Sequence, residues 1–117
     1  LGDSEWYVRR RAAIALGEIG DASAVPVLEK VLGGDADIGV RRAAAIALGK
    51  IGDKAALPAL ETALGDSEWY VRGFAAEALG ELGDKAALPA LIEALEDGEW
   101  DVQESAQEAI DKIKGAG

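Results

Sequence analysis

The sequence predicts an all-α fold, a right-handed α-solenoid built from stacked helical hairpins. Two observations carry this prediction. A repeat of 31 or 32 residues runs through the 117-residue chain, and apolar residues recur at helical spacing without the alternation typical of strands. Half of the residues are hydrophobic, mostly Ala, Leu, Ile and Val, which suit closely packed helices. We therefore expect about seven helices in one domain spanning residues 1–117.

The repeat is visible in segments that recur without change. Residues 1–9 return as residues 64–72, and residues 52–60 return as residues 83–91. A Gly-Asp pair stands at 20–21, 52–53 and 83–84, and the chain's three prolines are Pro26, Pro58 and Pro89. This phasing predicts units of about residues 3–33, 34–64 and 65–95, followed by a C-terminal half-unit over 96–114.

The first helix of each unit carries an amphipathic stripe. Five apolar side chains of the first copy fall within roughly 100° of arc on a helical wheel: Val8, Ala12, Ala15, Leu16 and Ile19. Asp3 or Ser4 can cap the start of this helix, and Gly20 is placed to end it. The pattern recurs in the later units, so four helices of this kind are predicted.

The second helix of each unit carries a proline near its start. In the first copy, Asp21 is placed to cap a helix that runs to about Leu32, and Pro26 lies early, where its missing N–H costs little. Two such helices cannot bury their own stripe and must stack on neighbouring units. Three helices of this kind complete the predicted seven.

The two ends of the array differ in pattern. If units are counted from the proline-containing helix instead, the chain is expected to begin with the second helix of a unit, and Leu1-Gly2 ends an absent first helix. The helix from Ser4 to Ile19 is expected to pack against residues 22–32 on one side. On its other side apolar residues stay uncovered, and such a surface predicts a homodimer in which the two copies of this helix cover each other. The last helix is more polar, as a terminal cap requires. Its polar residues include Gln103, Glu104, Gln107, Glu108, Asp111, Lys112 and Lys114.

Two segments carry a family resemblance. Residues 8–21 and 40–53 follow, with minor variations, the pattern Val-Arg-x-x-Ala-Ala-x-Ala-Leu-Gly-x-Ile-Gly-Asp. This pattern closely resembles the HEAT-like repeats of phycobilisome lyases and the engineered consensus α-helical repeat proteins built on the same motif. The resemblance covers essentially the whole chain. It implies that the Val-Arg helices line the concave face of the solenoid, with the proline-containing helices outside.

With that orientation, the helical wheel places a set of large side chains on the concave face, facing solvent and outside the core. Trp, Tyr and Arg are the residue types favoured in interface hot spots, so this set is the candidate partner-binding surface. We call it the strip: Trp6, Tyr7, Arg10, Arg11, Ile14, Ile38, Arg42, Ile46, Trp69, Tyr70, Phe74 and Trp100. An alternative role for the tryptophan rings is to cover the loops between repeats.

Three arginines at the margin of the core have a structural interpretation. Arg9, Arg41 and Arg72 follow the repeated valine, close to aspartates that recur in the loops. They are predicted to form a ladder of Asp–Arg bonds between units. Their functional alternative is anion binding.

Composition argues against catalysis and against a cofactor or metal site. The chain has no His and no Cys, which removes the usual general base, the usual transition-metal ligand and a thiol nucleophile. Residues 17–20 and 49–52 lack the strand and the spacing of a phosphate loop, so their glycines are interpreted as helix ends. Some HEAT-like proteins are iron enzymes that use His-Glu pairs, a role that a chain without His does not fit.

The net charge of −10 argues against nucleic acid as a partner. The excess lies in residues 59–117, which carry four basic and fourteen acidic side chains. This acidic half is interpreted as a solubilising surface or, alternatively, as a docking surface for a basic partner. No apolar run is long enough to span a membrane and no signal peptide is visible, so we expect a cytoplasmic protein without membrane partners.

The sequence therefore favours a non-catalytic scaffold that binds a protein partner through the concave face. Two alternatives stay open. One is a subunit of an enzyme resembling the bilin lyases, in which the solenoid holds a chromophore or its acceptor protein. The other is an engineered or excised repeat scaffold with no natural partner.

Overall fold

Long and short helices alternate along the chain. The computed structural model describes residues 5–116, and over that range it contains seven α-helices and no strand. They are α1 (Trp6–Ile19), α2 (Val25–Gly34), α3 (Ile38–Ile51), α4 (Leu57–Ala63), α5 (Trp69–Leu82), α6 (Leu88–Ala94) and α7 (Trp100–Ala116). The predicted all-α class and helix count are confirmed. Within this range, no helix has both the length and the apolar character that crossing a membrane demands.

The links from long to short helices are built from glycine, aspartate and proline at fixed places. Gly20, Gly52 and Gly83 end α1, α3 and α5 with φ between 68° and 76°, the left-handed region that glycine enters without a Cβ penalty. The aspartate that follows accepts the N–H two residues on, at 2.8–2.9 Å, and begins a 3₁₀ turn. Asp21 therefore caps this turn, and α2 starts after it. A proline occupies the first turn of each short helix, as predicted.

The helices form two layers. The long helices α1, α3, α5 and α7 pack side by side in chain order, and each short helix packs against the long helix that follows it. The expected pairing of residues 22–32 with the first helix is therefore wrong: α2 lies mainly against α3. The left-handed glycine and the 3₁₀ turn redirect the chain between α1 and α2. Packing thus groups each proline-containing helix with the next Val-Arg helix, whereas the sequence phasing groups it with the previous one.

The core lies between the layers and is apolar. Valines at one repeat position, Val40, Val71 and Val102, are fully buried, and no polar or charged residue within residues 5–116 is buried. The large side chains that fill the core come from both layers: Leu28, Leu32, Leu48, Leu60, Leu79, Leu91 and Ile113. Apolar burial, the dominant favourable term in folding, therefore holds long and short helices together.

Glycines inside the long helices bring those helices close together. Gly17 of α1 is buried, and a Cβ placed on it would lie 2.8 Å from the Cα of Ala47 on α3. Gly80 of α5 faces Ala109 of α7 in the same way, at 3.0 Å. The distance at Gly17 is shorter than real Cβ contacts, and that at Gly80 is tighter than nine in ten of them, so both positions favour glycine.

This observation corrects one sequence interpretation. Residues 17–20 and 49–52 were expected to mark helix ends through both of their glycines. Gly20 and Gly52 do end helices, but Gly17 and Gly49 lie inside them because the neighbouring helix occupies the space of a side chain.

One face of α1 lacks the cover that its counterparts have. Val8 is 40% exposed and Ile19 is 72% exposed, whereas Val40 and Val71, the counterparts of Val8, are fully buried. For α3, α5 and α7 the preceding short helix supplies that cover. The apolar margin predicted on the first helix is thus present. The predicted cap at Asp3 or Ser4 and the Leu1-Gly2 segment lie outside the described residues.

Substitution of Gly17 by alanine tests the close approach of α1 and α3. The added methyl group meets Ala47 at 2.8 Å, so Gly17→Ala should destabilise the fold by about 1–3 kcal/mol, the usual cost of overpacking. Gly33→Ala is the matched control, because this helical glycine of α2 has open space around it. There the same change should be neutral or should stabilise by up to about 1 kcal/mol. Urea unfolding measures both; equal midpoints would contradict the close-approach account.

Candidate functional site

Arginine–aspartate pairs join each of α1, α3 and α5 to a later loop. Nε and Nη2 of Arg9 donate to the two carboxylate oxygens of Asp35 at 2.8 and 3.1 Å. The same two-pronged contact, at 2.8–3.2 Å, joins Arg41 to Asp66 and Arg72 to Asp97. Bidentate pairs of this kind are the stronger charged hydrogen bonds. The predicted ladder is confirmed.

The ladder also fixes the loop backbone. Nη1 of Arg41 donates to the carbonyl oxygen of Asp35 at 2.7 Å, and Arg72 donates to that of Asp66 at 2.8 Å. The carboxylate of Asp35 in turn accepts the N–H of Asp37 at 2.9 Å. Arg41 and Arg72 each therefore span two successive loops. The donors that a bound anion needs are engaged by the protein's own aspartates and carbonyl groups, which favours the structural role.

These contacts favour the charged form of the aspartates. The hydrogen bond from Arg9 lowers the pKa of Asp35 below its ordinary value of 3.8, although burial acts in the opposite direction. For Asp97 the largest influence is burial, which raises the pKa. Hydrogen bonds from Arg72 and from the N–H of Glu99, together with the positive charge of Arg72, outweigh it and bring the pKa below 3.8. The ionised form is thus favoured for the carboxylates of Asp35 and Asp97.

All of the strip residues lie on the long helices. The exposed ones are Trp6, Tyr7, Arg11, Ile14, Ile38, Tyr70 and Trp100, and the half-buried ones are Arg10, Arg42, Ile46, Trp69 and Phe74. Phe74 is partly buried and packs against the edge of the hydrophobic core, so it is less exposed to solvent than the helical wheel predicts. The helical wheel gives the direction of a side chain from its own helix but not the neighbouring helices that cover it.

Two arginines of the strip lie over aromatic rings. The guanidinium carbon of Arg10 lies 5.3 Å from the ring centroid of Trp6, and that of Arg42 lies 5.7 Å from that of Phe74. Both distances are within the range of a cation–π interaction. Arginine side chains thus occupy part of the strip in the first two repeats.

A cleft of about 220 Å³ opens on the strip between α5 and α7. Its walls combine three aromatic rings, three carboxylates and two small residues, with no basic side chain among them. They are Trp69, Tyr70, Phe74, Glu77, Asp101, Glu104, Gly73 and Ser105. Of the predicted strip, the cleft brings together only Trp69, Tyr70 and Phe74; Trp6 and Tyr7 lie on α1, outside it.

Two larger grooves lie between the short helices. One of about 510 Å³ is formed by α4, α6 and the loops that follow them, and one of about 370 Å³ lies between α2 and α4. Both contain glutamates and small side chains but no aromatic ring. Apolar surface together with a few convergent polar groups is typical of binding sites, so the smaller cleft between α5 and α7 is the better candidate.

The repeat pattern matches a known family over nearly its entire length. The family profile for HEAT repeats matches residues 1–72 and 62–116. This chain belongs to the HEAT-repeat family. The family assignment agrees with the resemblance found in the sequence and with the two-layer helical array.

Solved structures share this HEAT-repeat architecture. The complex of CpcE and CpcF of phycocyanin lyase from a Nostoc species contains a chain 34% identical over 98% of this one, with a TM-score of 0.88. Human deoxyhypusine hydroxylase, solved with glycerol, is 27% identical over 98% of this chain, with a TM-score of 0.79. An engineered protein is 27% identical over 100% of the chain, with a TM-score of 0.73.

This HEAT-repeat chain corresponds to only part of each of those proteins. It covers 51% of the lyase chain, 45% of the hydroxylase and 60% of the engineered protein. It therefore spans about half the length of the structures that it matches. Among curated protein sequences, no match to the chain is found.

The sequence interpretation did not single out the acidic and small residues of the cleft. The helical wheel places Glu77, Asp101 and Ser105 on the same face, with Gly73 and Glu104 beside it, but the strip omits them because none is a hot-spot type. One signal in the HEAT repeats does point to them: a glycine at 73 stands where the two earlier repeats carry arginine.

Acid should weaken this HEAT-repeat protein through the ladder. The pKa values of Asp35 and Asp97 in the folded protein lie below 3.8, so their contribution to stability is complete above about pH 4 and is lost as the pH falls through the lower folded values. Asp35→Asn should lower stability at about pH 7 and reduce the loss between about pH 4 and pH 2. Urea unfolding across this range provides the measurement.

Asp111→Asn is the matched control for that experiment. Asp111 is an exposed carboxylate of α7 that accepts a hydrogen bond from Gln107 at 3.0 Å, which asparagine can retain. This variant should keep the parent's stability at neutral pH. If Asp35→Asn and Asp111→Asn behave alike, the ladder does not contribute as described.

Proposed function

We propose that this HEAT-repeat protein is a non-catalytic scaffold that binds a protein partner through the strip, on the concave side of the solenoid. The exposed rings of the strip carry the proposal. Trp6, Tyr7 and Tyr70 are 47%, 44% and 45% exposed, and all lie on one layer of helices. Tryptophan and tyrosine are typical of interaction hot spots, and the rings of Trp6 and Tyr7 lie side by side with centroids 5.9 Å apart.

Catalysis is not part of the proposal. A catalytic acid or base is typically a group with a shifted pKa in a cleft. Here the pKa of Asp21 is lowered by the N–H and hydroxyl groups of Ser23 in a capping turn, and Asp35 and Asp97 belong to the ladder. None of these three lines the cleft between α5 and α7. A cytoplasmic location, expected from the sequence, completes the proposal.

A second candidate is a subunit of a bilin lyase-like enzyme. The likeness to the CpcE–CpcF complex of phycocyanin lyase over 98% of the chain favours it. The strip would then hold a chromophore or the acceptor protein of the chromophore. However, the cleft of about 220 Å³ is smaller than the roughly 300–1,000 Å³ of pockets that enclose a small molecule. Its size therefore favours a protein surface as the ligand.

The exposed face of α1 supports a separate association with a second copy. Val8, Ala15 and Ile19 are exposed there. On α3 the counterparts of Val8 and Ala15, Val40 and Ala47, are buried. A two-fold dimer in which each α1 covers the other would remove this apolar surface from water. This surface is distinct from the cleft, so dimerisation and partner binding can be tested independently.

Peptide selection tests the strip as a binding surface. Peptides enriched from a random phage-displayed library on the immobilised protein should bind the Tyr7→Ala/Tyr70→Ala variant about tenfold more weakly, because two exposed hot-spot rings are removed. Both side chains are more than 40% exposed, so the variant should remain within about 1 kcal/mol of the parent in stability. Calorimetric titration measures the affinity.

Val27→Ala/Ile92→Ala is the matched control for the tyrosine variant. Val27 and Ile92 are 39% and 52% exposed on the short helices α2 and α6, and their loss should leave peptide binding unchanged. Peptides that depend on this pair and not on the tyrosines would overturn the proposal. An absorbance change of an added bilin, without any peptide enrichment, would favour the lyase-like subunit instead.

Light scattering over a range of concentrations tests the dimer. The parent should dissociate on dilution, and Ile19→Lys should give a 12.1 kDa monomer of unchanged helicity, because a charge is placed on the apolar face at its most exposed residue. Ile92→Lys, at an exposed position of α6, should leave the dimer intact. A parent that is monomeric at every concentration refutes the association.

A further inference from the structure

The cleft between α5 and α7 lacks a side chain that the preceding repeats supply. Gly73 occupies the repeat position of Arg10 in α1 and Arg42 in α3. In those helices the arginine lies over an aromatic ring, Trp6 in one case and Phe74 in the other, at 5.3 and 5.7 Å. At Gly73 the chain supplies no guanidinium group, and the cleft of about 220 Å³ opens there.

The fold does not require a glycine at position 73. Its φ is not in the left-handed region, and a Cβ placed there would meet only the Oγ of Ser105, at 3.7 Å, an ordinary contact. Gly17 and Gly80 differ, since a Cβ would collide with a neighbouring helix at 3.0 Å or less. The effect of Gly73 is therefore to leave space between α5 and α7.

Two of the three aromatic rings that line the cleft stack on each other. The ring centroids of Trp69 and Tyr70 are 3.9 Å apart, with an angle of 23° between the ring planes, so the two rings stack. Phe74, one turn further along α5, lines the same cleft. Planar groups stack favourably on such surfaces, and cations are attracted to the ring faces.

Negative charge surrounds these rings. Glu77, Asp101 and Glu104 line the cleft, and no lysine or arginine is among its lining residues. Within residues 5–116, none of the three carboxylates forms an ion pair. The cleft thus combines stacked aromatic rings with carboxylates that lack a cationic partner.

We propose that this cleft receives the guanidinium group of an arginine presented by a protein partner, in the place that the chain's own arginines fill in the earlier repeats. The proposal rests on the protein-binding function proposed above and specifies the chemistry that the partner must carry. A guanidinium group is planar, stacks on aromatic faces and forms paired hydrogen bonds with a carboxylate. The cleft offers both kinds of contact.

Other occupants fit the cleft less well. An apolar side chain would take the carboxylates out of water without a partner, which is costly. A divalent metal ion needs several oxygen ligands around one point, and the described residues contain no such group. A lysine ammonium group is a compact point charge without a planar face, so it should bind more weakly than arginine.

A capped Gly-Arg-Gly tripeptide is the probe for this site. Titrated into ¹⁵N-labelled protein, it should shift the indole N–H signal of Trp69 in the nuclear magnetic resonance spectrum. The signal of Trp6, whose ring already carries Arg10, should stay in place. Citrulline in the place of arginine keeps the shape without the charge and should weaken binding about tenfold. Lysine should weaken it by a smaller factor.

Variants of the cleft provide matched comparisons. Glu77→Gln/Glu104→Gln should weaken binding of the arginine peptide about tenfold. Glu81→Gln/Glu108→Gln removes the same charge from exposed positions of the same two helices, outside the cleft, and should change binding less than about twofold. Gly73→Arg should abolish binding because the chain then fills its own cleft, whereas Gly73→Ala should retain it.

The outcomes separate this proposal from the proposed function. Equal binding of the arginine and citrulline peptides, or a shift centred on Trp6, overturns the arginine site. So does undiminished binding by a folded Gly73→Arg variant; if that variant does not fold, the glutamine pair decides. Library peptides that depend on the tyrosines but contain no arginine also overturn it, while leaving the strip as a binding surface. If the selected peptides bind the Tyr7→Ala/Tyr70→Ala variant as tightly as the parent, the strip is not the binding surface.

Discussion

A glycine of one long helix packs directly against an alanine of the next, and the rest of the structure depends on this close approach. At Gly17 and Ala47, and again at Gly80 and Ala109, the helices meet with little room for a Cβ. The short separation lets side chains reach across neighbouring helices, so that Arg42 of α3 covers a ring of α5 and both α5 and α7 line one cleft. The surface chemistry of the strip therefore follows from contacts made within the layer of long helices.

The ladder adds a second, directional constraint. Apolar packing holds the layers together but permits helices to slide, since it has no preferred direction. Each bidentate arginine–aspartate pair has a fixed geometry, and its side chains are only 8–18% exposed, so solvent screens it incompletely. Sitting at the margin of an entirely apolar core, the pairs fix the register of one repeat on the next without burying an unpaired charge.

Local signals made most of the fold predictable. The left-handed glycine, the capping aspartate and the early proline each act within a few residues, so Gly20, Asp21 and Pro26 reveal their roles in sequence. The ladder was predictable because its partners recur with the repeat. The roles of Gly17 and Phe74 were not, since both depend on neighbouring helices about 30 residues away along the chain. The cleft depends likewise on α5 and α7 together, and only the missing arginine at Gly73 hints at it.

The repeated nonapeptide gives the molecule an internal optical comparison. Residues 1–9 and 64–72 are identical, yet the Trp6 and Tyr7 rings are perpendicular, with centroids 5.9 Å apart, whereas Trp69 and Tyr70 stack at 3.9 Å. The two pairs have the same side chains and the same neighbours in sequence on the N-terminal side, but residue 10 is arginine and residue 73 is glycine. Electronic coupling between two rings depends on the distance and the angle between them, so the two pairs should contribute differently to the near-ultraviolet circular dichroism spectrum. Two chemically identical pairs thereby become distinguishable, and one of them reports optically on the wall of the cleft.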